Sequence, residues 1–168
     1  CIDCDRDLLS GEIEYFIEKA IKSYSGFTAE DVIFEYAICI KCAERLRKQM
    51  SAESMQSIQD YFSQEVNFMD RMQTMQANPN NPTEWMQRCL INGSNIEDLE
   101  EYQIYAHCKG NTLITSHMPY MISGVALDKI AGLLSDETLD ELDDFMNNHF
   151  GPPPELMEPL PKRRVIPI

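Results

Sequence analysis

Two periodicities take turns along this chain. Ala43, Leu46 and Met50 recur at helical spacing, and so do Leu127, Ile130 and Leu134, which predicts one helix in each half. A serine follows each of these stretches, Ser51 and Ser135. Each has a glutamate two residues later, Glu53 and Glu137, so both serines are expected to cap a second helix. The buried stripe of that second helix is predicted as Met55, Ile58, Phe62, Val66 and Met69 in the first half, and as Leu139, Leu142, Phe145 and Met146 in the second. Elsewhere the period drops to two. "YQIYAHC" (102–108) alternates Tyr102, Ile104, Ala106 and Cys108 on one face, with "KGNT" as turn and "LITSHM" as return strand, which reads as a β-hairpin. "DVIFEYAIC" (31–39) is rich in β-branched and aromatic residues and reads as a strand. "EIEYFIEKAIKSY" fits either period.

An internal repeat resolves that ambiguity. At an offset of 84, residues 36–62 align with 120–146: Tyr36 meets Tyr120, Ile38 meets Ile122, Ser51 meets Ser135, Glu53 meets Glu137 and Asp60 meets Asp144. If the second unit begins with a hairpin, so does the first. The expected fold class is therefore α+β, two similar units each of a β-hairpin followed by two helices. "QANPNNPT" (76–83), with two prolines and three asparagines, disfavours helix and strand and reads as a linker. The expected organisation is a first unit over 1–76, a linker over 77–83, a degenerate second unit over 84–150, and an extended proline-rich tail over 151–168.

Charge narrows the partners. A formal net charge of −14 repels a phosphate backbone and makes nucleic acid a poor default partner. Only the tail, with Lys162, Arg163 and Arg164 before an apolar end, is net basic. It is expected to lie on the acidic body, to cross to a second subunit, to present a linear motif, or simply to fray. No apolar run approaches the roughly 20 residues that span a bilayer. That pattern, with no secretory signature, places the protein in the cytoplasm, where cysteine pairs serve as metal ligands more readily than as disulfides.

The cysteines carry the most specific signal. Cys1 and Cys4 form one CxxC; after 34 residues Cys39 and Cys42 form another, which runs straight into a helix. Four thiolates suit Zn²⁺ tetrahedrally and leave no open position for water or substrate, so the ion is structural. Iron in a rubredoxin-like site is the alternative metal. A knuckle, a hairpin and a CxxC at a helix start resemble the treble-clef and zinc-ribbon group of zinc-binding domains, over about residues 1–50. The resemblance implies that Cys1, Cys4, Cys39 and Cys42 are the ligands. In the second unit Cys89, Asn92, Ser123 and Ala126 occupy the corresponding places, so that copy is expected to be metal-free. A rescued set of Cys89, His107, Cys108 and His117 is disfavoured, because His107 and Cys108 fall on opposite faces of a strand.

Other features have plainer readings. Met69, Met72 and Met75 are expected to fill an irregular seam between the two units or between two chains, "SDETLDELDD" to be a solvated helix face, and Trp85 to anchor packing. Nucleophile elbow, phosphate-cradling glycine loop and HExxH are all absent, so no catalytic or cofactor-binding residue is assigned and the balance falls against an enzyme. The leading expectation is a non-catalytic structural-zinc protein acting as an interaction or adaptor module, with a protein partner or a second copy. The alternatives are a nucleic-acid-binding regulator using Lys41, Arg45, Arg47 and Lys48, and an enzyme or enzyme subunit with a site between the units.

Overall fold

A computed structural model describes residues 1–24 and 29–151; most of the predicted tail, 152–168, lies outside them. The fold is α+β, a five-stranded antiparallel sheet with five helices. The ambiguous early segment is a strand, β1 (Glu14–Ser23), which pairs with β2 (Glu30–Cys39). Then come α1 (Ile40–Gln49), α2 (Ala52–Glu65) and α3 (Phe68–Ala77). The second half supplies β3 (Glu101–Lys109), β4 (Thr112–Leu113), β5 (Tyr120–Ser123), α4 (Gly124–Ala131) and α5 (Asp136–Phe150).

Two details depart from the sequence reading. The return strand after "KGNT" is only two residues of β4; the chain then leaves the sheet through a cis Met118–Pro119 bond and rejoins β3 as β5. The turn before β4 needs glycine at 110, whose φ is +55° and whose added Cβ would sit 2.8 Å from the Gly11 carbonyl oxygen. The long second helix is also broken. Val66 ends α2, and Asn67 starts α3 by accepting the Asp70 amide on its side chain. As a result Met69 and Met72 do not fill a seam between the two halves; with Phe68 they are exposed, on a helix that buries no residue.

β1 and β3 pair over nine residues, from Glu14 opposite Lys109 to Lys22 opposite Glu101, so both halves contribute to one continuous sheet. Across it runs a single row in which Tyr36 faces Glu18, Glu18 faces Tyr105 and Tyr105 faces Tyr120. Directly opposed residues share a face, and this is the face that the helices cover, since Tyr36 meets the rings of Phe145 and Phe150 of α5.

The helices that follow the two serine caps pack largely across the halves, although Met55 and Ile58 of α2 also touch the first cluster. Leu139, Leu142 and Phe145 of α5 join Phe34, Tyr36, Ile38 and Leu46 of the first half in one core cluster. Ile58 and Phe62 of α2, with Val66 after it, join Tyr105, Ile122, Leu127 and Ile130 of the second half in the other. Where the helices cross over, their caps interlock. Ser51 Oγ accepts the Ser54 amide and Ser135 Oγ accepts the Thr138 amide, as in ordinary N-caps. The reciprocal bonds go to the other helix: the Ser51 amide donates to Thr138 Oγ1 (2.9 Å) and the Ser135 amide to Ser54 Oγ (2.8 Å), while the two cap hydroxyls lie 2.9 Å apart. In a capping box the third helical residue reaches back to its own cap; here it reaches to its counterpart. Thr138 is fully buried. Thr138→Val, which leaves the Ser51 amide unpaired at nearly constant volume, is expected to cost about 1–3 kcal/mol, measured by denaturant unfolding.

Candidate metal centre

The sequence places two cysteines in a short N-terminal turn and two at a strand-to-helix junction. The N-terminal turn is held to the outer edge of β2 by the Ile2 amide, which donates to Ala37 O (2.9 Å), and closes when the Asp5 amide donates to Cys1 O (3.0 Å). Asp5 adopts a positive φ of 54°, a conformation that Asp tolerates better than most residues. On the other side Cys39 is the N-cap residue of α1 and Cys42 lies in its first turn, so both sulfurs sit at the positive end of the helix. These two segments bring the four Sγ atoms of Cys1, Cys4, Cys39 and Cys42 within 4.8 Å of one another, with Cys4 Sγ and Cys39 Sγ 4.0 Å apart. A tetrahedral zinc thiolate site has sulfurs about 3.8 Å apart, from Zn–S bonds near 2.3 Å, so small side-chain adjustments would close the set around one ion. It is the one such cluster among the described residues.

Its surroundings suit a cation with thiolate ligands. The Cys39 amide donates to Cys1 Sγ (3.4 Å) and the Arg45 guanidinium to Cys42 Sγ (3.6 Å), the kind of outer-shell bonds that steady anionic sulfur. Arg45 also pairs with Asp3, between the first two cysteines, and His149 of α5 approaches Asp3 at 4.0 Å. Burial pushes the Cys42 thiol up, helped by bonds to Asp3, Cys39 and Cys4; at Cys39 burial acts the same way but is outweighed by the Cys42 amide and the neighbouring thiols, and the result is a lowered pKa. Cys39 and Cys42 are buried, Cys1 is half-buried and only Cys4 is exposed.

A loop of the second half is tied by comparable backbone hydrogen bonds but carries different chemistry. There the Leu90 amide donates to Met121 O (2.8 Å) at the outer edge of β5, the Gly93 amide donates to Cys89 O (3.0 Å), and Gly93 has a φ of +70°. The Ser123 amide donates to Cys89 Sγ (3.2 Å), as Cys39 does to Cys1. Hydrogen bonds stand where the ion would be: Ser123 Oγ receives Asn92 Nδ2 (3.0 Å), Cys89 Sγ (3.5 Å) and the Ala126 amide (3.3 Å).

The rescued set does not assemble. His107 pairs with Glu14 at 3.1 Å, while Cys89 is enclosed by Ser123 and the hydrophobic core. Of the basic residues on α1, Arg45 is committed to Asp3 and Cys42, leaving Lys41, Arg47 and Lys48 exposed. Trp85 is buried as the sequence indicates, with its Nε1 on Asn78 O (2.9 Å). The residue that holds it was not visible in the sequence: Arg71 of α3 lies 5.7 Å from the Trp85 ring, donates to Trp85 O (2.7 Å) and reaches Pro119 O. An isolated arginine in a polar helix gives no sign of such a strap. No helix among the described residues is long and apolar enough to cross a membrane. No protein-family model, curated protein or solved structure matches this chain.

Proposed function

We propose that this chain is a non-catalytic structural-zinc protein that works by protein–protein interaction, built from a duplicated ββαα unit of which only the first copy holds metal. The observation that carries the metal reading is the set of four thiols, drawn from two segments, all within 4.8 Å of one another. Zinc is favoured over iron because nothing about an all-sulfur closed site requires redox chemistry, and zinc fills such sites without it. Elemental analysis is expected to find one zinc per chain, and cobalt substitution to give the intense thiolate charge-transfer bands of a tetrahedral S₄ site. Cys42→Ser should lose both; a full-length preparation that takes up neither ion rejects the reading.

The duplication is supported by the matched turns at Asp5 and Gly93, the matched edge bonds at Ile2 and Leu90, and the interlocked caps at Ser51 and Ser135. It makes a constructive prediction. Asn92→Cys, Ser123→Cys and Ala126→Cys together complete a CxxC pair of pairs with Cys89, and the triple variant is expected to bind two zinc ions per chain where the parent binds one, by elemental analysis after exhaustive dialysis. The interaction role rests on Phe68, Met69 and Met72, an exposed apolar patch of the sort that marks contact surfaces. Phe68→Asp with Met72→Asp should leave zinc content and unfolding midpoint unchanged while removing proteins that co-purify with the parent from its native cells. Retention of all of them would move the interaction surface elsewhere.

A further inference from the structure

Where α1, α2 and α4 meet above the sheet, packing leaves a cavity of about 170 Å³. Met50, Met55, Ile58, Phe62, Leu127 and Ile130 form its walls, and the rings of Tyr105 and Tyr120 lie at its base, 5.2 Å apart. The volume matters: a cavity of roughly 150 Å³ with an aliphatic and aromatic lining holds one benzene ring. Thioethers and aromatic rings in the wall favour an aromatic guest over an aliphatic one.

Two polar groups interrupt this lining. The first is the Tyr120 hydroxyl, which has no hydrogen-bond partner among the described residues; the second is the Arg47 guanidinium, exposed to solvent and without an ion pair among them. Both line the same opening, where the charges of Arg47 and Arg71 oppose the upward push that burial and Glu18 give the Tyr120 hydroxyl. A few polar groups converging on an apolar chamber are the usual anatomy of a small-molecule site.

The geometry points to a binding site for a small aryl carboxylate, its ring between Met50, Met55, Phe62 and Ile130 and its carboxylate on Arg47 and the Tyr120 hydroxyl. Arginine is the residue suited to a carboxylate, through two parallel N–H···O bonds. The cavity is lined by helices of both halves, so a bound ring would bridge α2 of the first half to α4 of the second. The site stands independently of the metal centre, more than one helical turn along α1 from Cys42.

The test uses the full chain labelled with ¹³C at the methionine methyls, titrated with phenylacetate and, as the uncharged counterpart, toluene. Phenylacetate is expected to shift the Met50 and Met55 methyl signals with a Kd of about a millimolar or below, reasonable for a ligand of roughly ten heavy atoms. Arg47→Gln, an exposed substitution that should not disturb folding, is expected to weaken phenylacetate by about tenfold or more and toluene by less than about twofold. Tyr120→Phe should weaken phenylacetate selectively and by less. Unshifted Met50 and Met55 signals at about 10 mM phenylacetate, a Kd in that range being too weak to be a site, would overturn the assignment. So would equal affinity in the parent and Arg47→Gln, or binding of toluene alone.

Discussion

If the proposed zinc is removed by complete chelation, or the site is broken by Cys42→Ser, the N-terminal segment is expected to leave the sheet while the second half keeps its structure. The reason lies in what else holds residues 1–13. One edge hydrogen bond from Ile2, the buried Leu8, the packing of Ile2 and Ile13, the Asp3–Arg45 and Glu12–Lys109 ion pairs and the Gly110 amide bond to Ile13 O are the remaining ties. Surface ion pairs contribute about 0–1 kcal/mol and a single buried leucine roughly 1.5–3 kcal/mol. Closed zinc sites supply about 10–16 kcal/mol of apparent binding free energy in small peptides, well beyond that sum. The second half makes an internal control, since its equivalent loop is closed by Ser123, Asn92 and Cys89 and anchored by Trp85 and Ile91. Hydrogen exchange should therefore show the Ile2 and Cys39 amides losing about a thousandfold of protection on chelation, equivalent to roughly 4 kcal/mol, with the Leu90 and Ser123 amides changing little. Equal loss at all four would mean that the whole fold depends on the ion. No loss at any would deny the site a structural role.

How far the chain could be read without coordinates depended on whether the cause was local. Ser51 and Ser135 cap helices because a serine oxygen and a following amide are neighbours in sequence, and the caps stand where the pattern puts them. Each CxxC pair was legible because its two sulfurs are set by local backbone, a turn at Cys1 and Cys4 and a helix start at Cys39 and Cys42. What could not be read has non-local causes. The sequence stripe through Val66 to Met69 has helical spacing, yet Asn67 interrupts it, and the apolar residues beyond face solvent. The packing of α2 and α5 largely across the halves leaves each helix with the same amphipathic pattern it would have at home, so periodicity says nothing about which half it covers. Likewise the 84-residue offset suggested two like units, but not that β1 and β3 would join them in one sheet.

Glu18 is the residue that the sequence hid best. In "EIEYFIEKAIKSY" it looks like one of several solvated glutamates, but pairing of β1 on both sides places it between Tyr36 and Tyr105 beneath the helices, 2% exposed. Tyr36 donates to its Oε2, while its Oε1 has no hydrogen-bond partner. Burial pushes the carboxyl up to about 8, against the weaker downward pull of the Tyr36 and Tyr105 hydroxyls, from an ordinary value of 4.5. The consequence for stability has a definite sign. Between about 4.5 and about 8 the folded chain binds a proton that the unfolded chain has released, so stability falls as pH rises through that window, by up to roughly 1.4 kcal/mol per unit, and levels off above it. At pH 7 the accumulated cost is on the order of 3 kcal/mol, a large part of the 5–15 kcal/mol that a domain has in all. Glu18→Gln keeps a neutral group of the same shape and an acceptor for Tyr36. It is expected to raise stability at pH 7 by about 2–3 kcal/mol and to leave it unchanged near pH 4. The quantity to measure is the difference between variant and parent in urea unfolding from pH 4 to 9, which cancels the other titrating groups. A difference that grows with pH and then becomes constant locates the buried carboxyl; a difference independent of pH would mean that Glu18 keeps an ordinary pKa and that the Tyr–Glu–Tyr–Tyr row reaches water.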